Sequence, residues 1–275
     1  MNEIVKYSNE LNKVPLTNFN ETDLNFFYAI CSKVRNRNSE LLTFDFNEIK
    51  ALTNYKPTSN LRFKKDMETM LGKLIRCSSR FEVGRKIIFM NMFQCFELDI
   101  DEQLLTIQIN ESFVPYFNNL IDEFTSFELQ QYISLKGVHS KSLYRVLKQW
   151  KTIGKTPMYS VEQIKIWLDI PNYETKNIYK MVLAPACEEI KNKKAFSNLW
   201  VEPVYARKRG KPLDGYIFHF SKNDIPGQMY FDASTFEDTK NISKNKYYTK
   251  NKSNFNNFEQ HKYDFDDLEK KLISN

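Results

Sequence analysis

The chain has 275 residues, with 40 Lys and Arg against 34 Asp and Glu, so its formal net charge is +6. This length is enough for one large domain or two ordinary ones. No run approaches the roughly 18 apolar residues of a membrane span, and Met1 to Lys6 lack the apolar stretch of a secretory signal. We therefore expect a cytoplasmic protein without a membrane partner.

The charge is unevenly placed. Residues 1–120 contain fifteen basic and fifteen acidic residues, residues 121–220 contain sixteen and ten, and residues 221–275 contain nine of each. The whole excess thus falls in the middle segment. We expect this segment to supply most of the attraction to a polyanion such as nucleic acid.

Apolar periodicity predicts a series of elements in the first part of the chain. Asn20 is placed to cap the first helix and Thr58 to cap the longest one. The longest helix should bury one stripe formed by Phe63, Met67, Met70, Leu71 and Leu74. The predicted elements are a helix at 20–36, a strand at 42–46, helices at 47–53 and 58–77, a hairpin at 81–90 turning at Gly84, and a strand at 105–109.

A similar order follows in the next hundred residues. Thr125–Glu128 and Ser160–Gln163 each have the spacing of a capping box that opens a helix. Pro185 should kink or restart the last helix, because its ring removes one backbone hydrogen bond. The predicted elements are a helix ending near 135, a helix at 139–152, a strand at 156–159, helices from 160 and from 175, and strands at 199–206 and 213–220.

Each part therefore reads helix, strand, helix, helix, hairpin, which is the order of a winged helix-turn-helix domain. The predicted fold is α+β and helix-rich, with two tandem winged helices. We expect an N-terminal winged-helix domain at 1–120 for DNA binding and dimerisation. A C-terminal winged-helix domain at 121–220 would be the main DNA-binding domain, and 221–275 would be a flexible linker and docking tail.

The start of each long helix and the tip of each hairpin carry the residue types that anchor phosphates and read base edges. The first candidate set is Thr58, Ser59, Asn60, Arg62, Lys64 and Lys65 on the helix, with Arg85 and Lys86 on the wing. The second is Asn172, Tyr173, Thr175, Lys176, Asn177 and Lys180 on the helix, with Arg207, Lys208, Arg209 and Lys211 on the wing. Lys141, Arg145 and Lys148 share one helix face, which we expect to be a solvated surface or to make occasional phosphate contacts.

Enzyme motifs are scarce, and we expect no catalytic, cofactor or metal site. Gly154-Lys155-Thr156 lacks the upstream glycine of a phosphate-binding loop, since position 149 is Gln. His139, His219 and His261 stand far from one another and from any cysteine, so clustered metal ligands are missing. The four cysteines are scattered and are expected to be reduced.

The last fifty residues change in character. Lysines among Asn, Ser, Thr and Tyr at 241–258 predict a basic linker. Aromatic and acidic residues return at 254–272, and we expect this segment to be a docking tail.

Three stretches resemble the initiator Rep proteins of theta-replicating, iteron-containing plasmids. They are Val5-Lys-Tyr-Ser-Asn-Glu-Leu-Asn12; Phe124-Thr-Ser-Phe-Glu-Leu with Ser134-Leu-Lys-Gly-Val-His-Ser-Lys-Ser-Leu-Tyr-Arg-Val-Leu-Lys-Gln-Trp150; and Tyr179-Lys-Met-Val-Leu-Ala-Pro-Ala-Cys-Glu-Glu-Ile190. The resemblance implies two winged helices related by a pseudo-twofold axis that bind directly repeated origin sequences in double-stranded DNA. It also implies a homodimer in equilibrium with a monomer, origin opening, repression of the protein's own promoter, and recruitment of host helicase, initiator or primosome proteins.

Three other functions stay open on the sequence. A transcriptional repressor or a phage replisome organiser could use the same fold, since a fold does not fix a function. A nicking or polymerase-like enzyme is disfavoured, because paired histidines are missing. A protein-interaction adaptor working through 254–272 is the third.

Overall fold

The first half of the chain combines three helices with antiparallel strands, in a computed structural model that describes residues 3–83 and 85–222. In chain order its elements are β1 (Ile4–Ser8), α1 (Glu21–Val34), β2 (Leu42–Asp45), α2 (Phe46–Leu52), α3 (Asn60–Arg76), β3 (Ser78–Val83), β4 (Lys86–Asn91), β5 (Phe93–Asp99) and β6 (Leu104–Ile109). The predicted order of helix, strand, helix, helix and hairpin is confirmed.

Helix α1 is the central helix of this half. Asn20 caps it as predicted, because its Oδ1 accepts from the Asp23 amide at 2.9 Å while Asp23 Oδ2 accepts from the Asn20 amide at 2.8 Å. This reciprocal pair satisfies two amides that a helix start otherwise leaves free. Lys73 of α3 donates to the same Asp23 carboxylate at 2.5 Å, so one buried acid joins the start of α1 to α3.

Helix α3 buries the predicted stripe, from Phe63 to Leu74, against α1. Its start lies one residue later than predicted. Ser59, not Thr58, is the capping residue, and its Oγ accepts from the Arg62 amide at 3.4 Å. The shift places Thr58 in the exposed turn before the helix.

The sheet of the first half has the strand order β2–β6–β5, and all pairs are antiparallel. Strand β5 was missed by the sequence analysis, because a bulge between Phe93 and Cys95 breaks its alternation. Strands β3 and β4 form a separate two-stranded hairpin. The hairpin predicted at 81–90 exists, but the hairpin that belongs to the three-stranded sheet is β5–β6.

The second half repeats the order with one more helix, α4, between its first strand and α5. In chain order its elements are β7 (Phe124–Glu128), α4 (Leu129–Ser134), α5 (Val138–Gln149), β8 (Tyr159–Ser160), α6 (Val161–Trp167), α7 (Thr175–Ile178), α8 (Ala184–Asn192), β9 (Trp200–Tyr205) and β10 (Leu213–His219). Its sheet has the order β8–β10–β9. The predicted capping box of α6 is confirmed, with Ser160 Oγ accepting from the Gln163 amide at 3.1 Å.

The capping box predicted at Thr125–Glu128 is wrong, because these residues form strand β7. Strand β7 pairs antiparallel with β1, with Val5 opposite Phe127 and Tyr7 opposite Thr125. The Thr125 hydroxyl accepts from Asn12 Nδ2 and donates to Asn9 Oδ1, each at 2.8 Å. The chain's first strand thus pairs with the strand that opens the second half.

The helix that leads from α7 into α8 contains a wider turn. Tyr179–Leu183 form a π-helical turn, in which the Ala184 amide donates to the Tyr179 carbonyl. Pro185 lies at the first turn of α8 and has no amide hydrogen, so it cannot continue the α-helical ladder. The predicted disturbance at Pro185 is confirmed, and it takes the form of a π turn.

Helix α5 overturns one expectation. Its face with Lys141, Arg145 and Lys148 is not a solvated surface, since these side chains are 0%, 2% and 7% exposed. Their partners come from the first half of the chain and from other parts of the second half. Arg145 donates to the Leu11 and Val14 carbonyls at 3.4 Å, and Lys148 lies 5.1 Å from the ring centroid of Phe196.

Lys141 is the most deeply buried of the three cations. Its Nζ donates to Asn25 Oδ1 of α1 and to the Tyr132 carbonyl of α4, both at 2.8 Å. Within the described ranges no carboxylate lies at ion-pair distance from it. Burial lowers the pKa of Lys141 to about 7, against the more distant attraction of Glu21 and Glu189.

This burial predicts a pH dependence of stability. Because the pKa of Lys141 is lower in the folded chain, the unfolded chain binds more protons between pH 7 and the ordinary lysine value, and stability rises with pH in that window. In chemical denaturation, the difference in unfolding free energy between wild type and Lys141→Met should move by about 2 kcal/mol in favour of wild type from pH 7 to pH 9. The exposed Lys155→Met is the control, and a difference that stays constant with pH would contradict the assignment.

Candidate nucleic-acid interface

The helix starting at Thr175 presents the second set of candidate residues together. Asn172, Tyr173, Lys176, Asn177 and Lys180 are exposed, and Thr175 is half-buried. Ile178, Val182 and Ile190 face the core and orient the helix. Lys176 is held by Glu174 at 2.9 Å, and the exposed pair can open when a phosphate replaces the carboxylate.

The β9–β10 hairpin presents the second wing. Its tip is closed by a hydrogen bond from the Ala206 amide to the Pro212 carbonyl at 2.9 Å. Gly210 has φ +82° there, a conformation that favours glycine. The tip cations Arg207, Lys208, Arg209 and Lys211 are all exposed. Four cations so close together repel one another, and a polyanion relieves that repulsion.

A groove of 710 Å³ lies between this helix and this wing. Thr175, Lys176 and Tyr179 line the helix side, and Tyr205 and Tyr216 line the strand side. The Tyr179 and Tyr216 rings stack with centroids 6.5 Å apart. Burial and the neighbouring tyrosines raise the pKa of Tyr216, so its hydroxyl stays a neutral hydrogen-bond donor.

Tyr179 and Tyr205 were missed by the sequence analysis. In the sequence Tyr179 stands out only as the first residue of the third stretch that resembles the initiator Rep proteins. Tyr205 lies in the predicted strand at 199–206 that leads to the wing tip. Both are exposed, at 46% and 56%. Their exposure beside Lys176 marks these two tyrosines as candidates. This neighbourhood becomes visible only when the helix is packed on the strands.

Helix α3 presents the first set of candidate residues less freely. Thr58, Ser59, Asn60, Arg62 and Lys65 are exposed, and Lys64 is half-buried. Asn60 Nδ2 donates to Gln103 Oε1 at 2.9 Å, and its Oδ1 accepts from Lys50 Nζ. Arg62 Nε lies 3.9 Å from Asp66 Oδ2, a long contact on an exposed side chain. Asn60 is therefore engaged within the fold, while Arg62 and Lys65 are available.

The two hairpins of the first half differ in charge. Arg85 and Lys86 are exposed at the β3–β4 turn. The β5–β6 turn is acidic, and Asp99 Oδ1 in it accepts from the Asp101 and Glu102 amides at 3.0 and 2.9 Å. Because this acidic turn adjoins the start of α3 through Gln103, phosphates meet repulsion on that side. The basic hairpin residues of the first half are therefore those of the β3–β4 turn, and their contact with phosphates stays a prediction.

The described ranges hold no group of three or more His, Cys, Asp and Glu residues that could bind a metal ion. None of the helices there is both long and apolar enough to cross a bilayer. The expectation that the protein has no catalytic site stays a prediction.

Two helix-turn-helix units, each followed by antiparallel strands, define a tandem winged-helix protein. Residues 4–148 match the family described as Initiator Replication protein, WH1, and residues 160–220 match Initiator Rep protein, WH2. The chain belongs to this family of initiator Rep proteins, as its resemblance indicated. The domain limits expected at 120 and 121 stay a prediction.

Two known proteins are similar over most of the chain. The "Probable replication protein rep" of Bifidobacterium longum (strain NCC 2705) is 31% identical over 229 residues, covering 82% of this chain and 75% of that protein. The crystal structure of Pi initiator protein in complex with iteron DNA has a TM-score of 0.62 at 17% identity, covering 82% of this chain and 99% of that chain. The second likeness concerns the fold, and it confirms the predicted tandem winged-helix fold.

The basic tip of the β9–β10 hairpin yields a testable prediction. Arg209→Ala should weaken DNA binding and reduce the slope of log affinity against log salt by about one, because one phosphate contact is lost. Fluorescence anisotropy over a series of salt concentrations measures both quantities. Lys193→Ala, an exposed change at the end of α8, is the control. An unchanged slope in Arg209→Ala would show that this tip does not contact phosphates.

Proposed function

We propose that this initiator Rep protein binds directly repeated sequences, iterons, in the double-stranded DNA of a plasmid origin. The observation that carries the proposal is the pair of helix–hairpin surfaces just described, on α3 and on the helix from Thr175. Each surface exposes cations and polar side chains that suit one major groove and its flanking phosphates. The solved relative of this fold holds iteron DNA, which agrees with that use.

We further propose a stoichiometric mechanism without chemistry on DNA. Several copies bound to adjacent repeats would strain a neighbouring AT-rich segment and open it. Host helicase, initiator or primosome proteins would then be recruited in the cytoplasm, with 254–272 as the docking tail. That segment lies outside the described residues. Binding at its own promoter would let the protein repress its own synthesis.

A footprint on the DNA beside the coding region tests the proposed binding. We expect protection of directly repeated sites of about 20 base pairs, because two recognition helices one helical turn apart cover that length. The wild-type protein should bind such a duplex with at least about 1,000-fold preference over unrelated DNA. Protection of a single inverted repeat would instead identify a repressor. Binding without sequence preference would contradict the proposal.

We also propose that the first half dimerises through the β3–β4 hairpin. Ile87 and Phe89 of β4 are 56% and 66% exposed. Among the described strands β4 pairs only with β3. An apolar strand with a free edge is a ready surface for a second copy of the chain.

Substituting Phe89 tests this interface. Phe89→Asp should raise the dimer dissociation constant at least about tenfold, since a charge would be buried in an apolar contact. Sedimentation velocity over a concentration series measures the change. Ile121→Asp, at a side chain 83% exposed between β6 and β7, is the matched control. Equal dimer fractions in Phe89→Asp and wild type would place the interface elsewhere.

A further inference from the structure

Each of the two recognition helices exposes a large aliphatic side chain next to its exposed cations and amides. Leu61 in the first turn of α3 is 76% exposed, and Met181 in the π turn before α8 is 60% exposed. Neither side chain belongs to the buried stripe of its helix. An isolated exposed apolar residue is ordinary on a protein surface. What distinguishes these two is their surroundings.

Leu61 lies on the outward side of α3. It precedes Lys65 by four residues, so the two side chains are neighbours on one face of the helix. Arg62 is the next residue and is exposed as well. The buried residues Phe63, Met67 and Met70 lie on the other side of the same helix. An approaching polyanion is therefore drawn towards the face that carries Leu61.

Met181 in the second half lies further along its helix, in the π turn rather than in the first turn. It follows Asn177 by four residues and lies next to Lys180, and all three are exposed. Tyr179 leans to the other side of the helix, against Tyr216 and the wing. Met181 therefore lies outside the groove between the helix and the wing. It is on the same side of the helix as the side-chain amide of Asn177, which can hydrogen-bond to a base edge.

The major groove offers few apolar groups to such side chains. The C5 methyl of thymine is the apolar feature that distinguishes its pair there, and apolar side chains contact it. An asparagine can pair with adenine N6 and N7 at the same time. Side chains at i and i+4 on one helix face reach positions close together in the groove.

We propose that Met181 and Leu61 read thymine methyl groups in the repeat, one in each half-site. This inference rests on the proposed function and adds the base that each helix prefers. Met181 and Asn177 together select a thymine close to an adenine in the half-site of the second winged helix. Leu61 selects a thymine between the phosphates that Arg62 and Lys65 hold.

Replacing thymine by deoxyuridine tests the proposal, because it removes the methyl group and keeps every hydrogen-bonding group. The probe is the tightest-binding duplex that the wild-type protein selects from a random pool of about 20 base pairs. Deoxyuridine is then placed at one thymine at a time, and affinity is measured by anisotropy. We expect about fourfold weaker binding for each contacted methyl, in at least one position per half-site.

The variants assign each methyl to a side chain. Met181→Ala should bind the thymine duplex about as weakly as wild type binds the deoxyuridine duplex, and should no longer distinguish the two at that position. Leu61→Ala should lose the distinction in the other half-site. Ile153→Ala, an exposed residue outside both helices, is the control and should retain both distinctions.

The outcomes separate two failures. Equal affinity of wild type for thymine and deoxyuridine duplexes at every position would overturn the inference while leaving sequence-specific binding intact. If the effect of deoxyuridine at one and the same position survived in both Met181→Ala and Leu61→Ala, neither side chain would contact that methyl group. That result at every sensitive position would overturn the inference as well. Selection that yields no preferred duplex would overturn the proposed function and the inference together.

Discussion

The burial of the basic face of α5 is the constraint on which the arrangement of the two winged helices depends. Lys141 reaches Asn25 in α1, and Arg145 reaches the carbonyls of Leu11 and Val14. A buried cation needs such acceptors, because losing them leaves its charge without compensation. The two halves must therefore stay in register at α5, and with them α3 and the helix from Thr175. The proposed reading of one repeat by both helices depends on that register.

The same burial reduces how much of the net charge of residues 121–220 is exposed to a ligand. The middle segment has sixteen basic and ten acidic residues, but Lys141, Arg145 and Lys148 lie inside the fold and cannot meet phosphate. The cations of this segment that stay exposed include those of the helix from Thr175 and of the tip at 207–211. The net charge of this segment therefore overstates what it can offer to a polyanion, because part of that charge serves the interior.

Much of the fold could be predicted because its signals are local. The Asn20 and Ser160 caps and the buried stripe of α3 follow from spacing within single helices. The interior face of α5 could not be predicted, because its hydrogen-bond acceptors lie more than a hundred residues away in sequence at Leu11, Val14 and Asn25. Strand β7 was missed for a similar reason, since its partner is β1. In the candidate site, charges and amides were visible in the sequence, whereas the groove with Tyr179 and Tyr205 exists only once helix and strands are packed.

The pairing of β1 with β7 has a consequence for how the chain is made. The first strand emerges from the ribosome early, but its partner, Phe124–Glu128, is translated more than a hundred residues later. Until then β1 has an unsatisfied edge and Tyr7 lacks its cover from Phe127. Domains usually fold in order of synthesis, but here β1 cannot pair until β7 has been synthesised. A nascent chain interrupted before residue 124 would leave that strand without its partner.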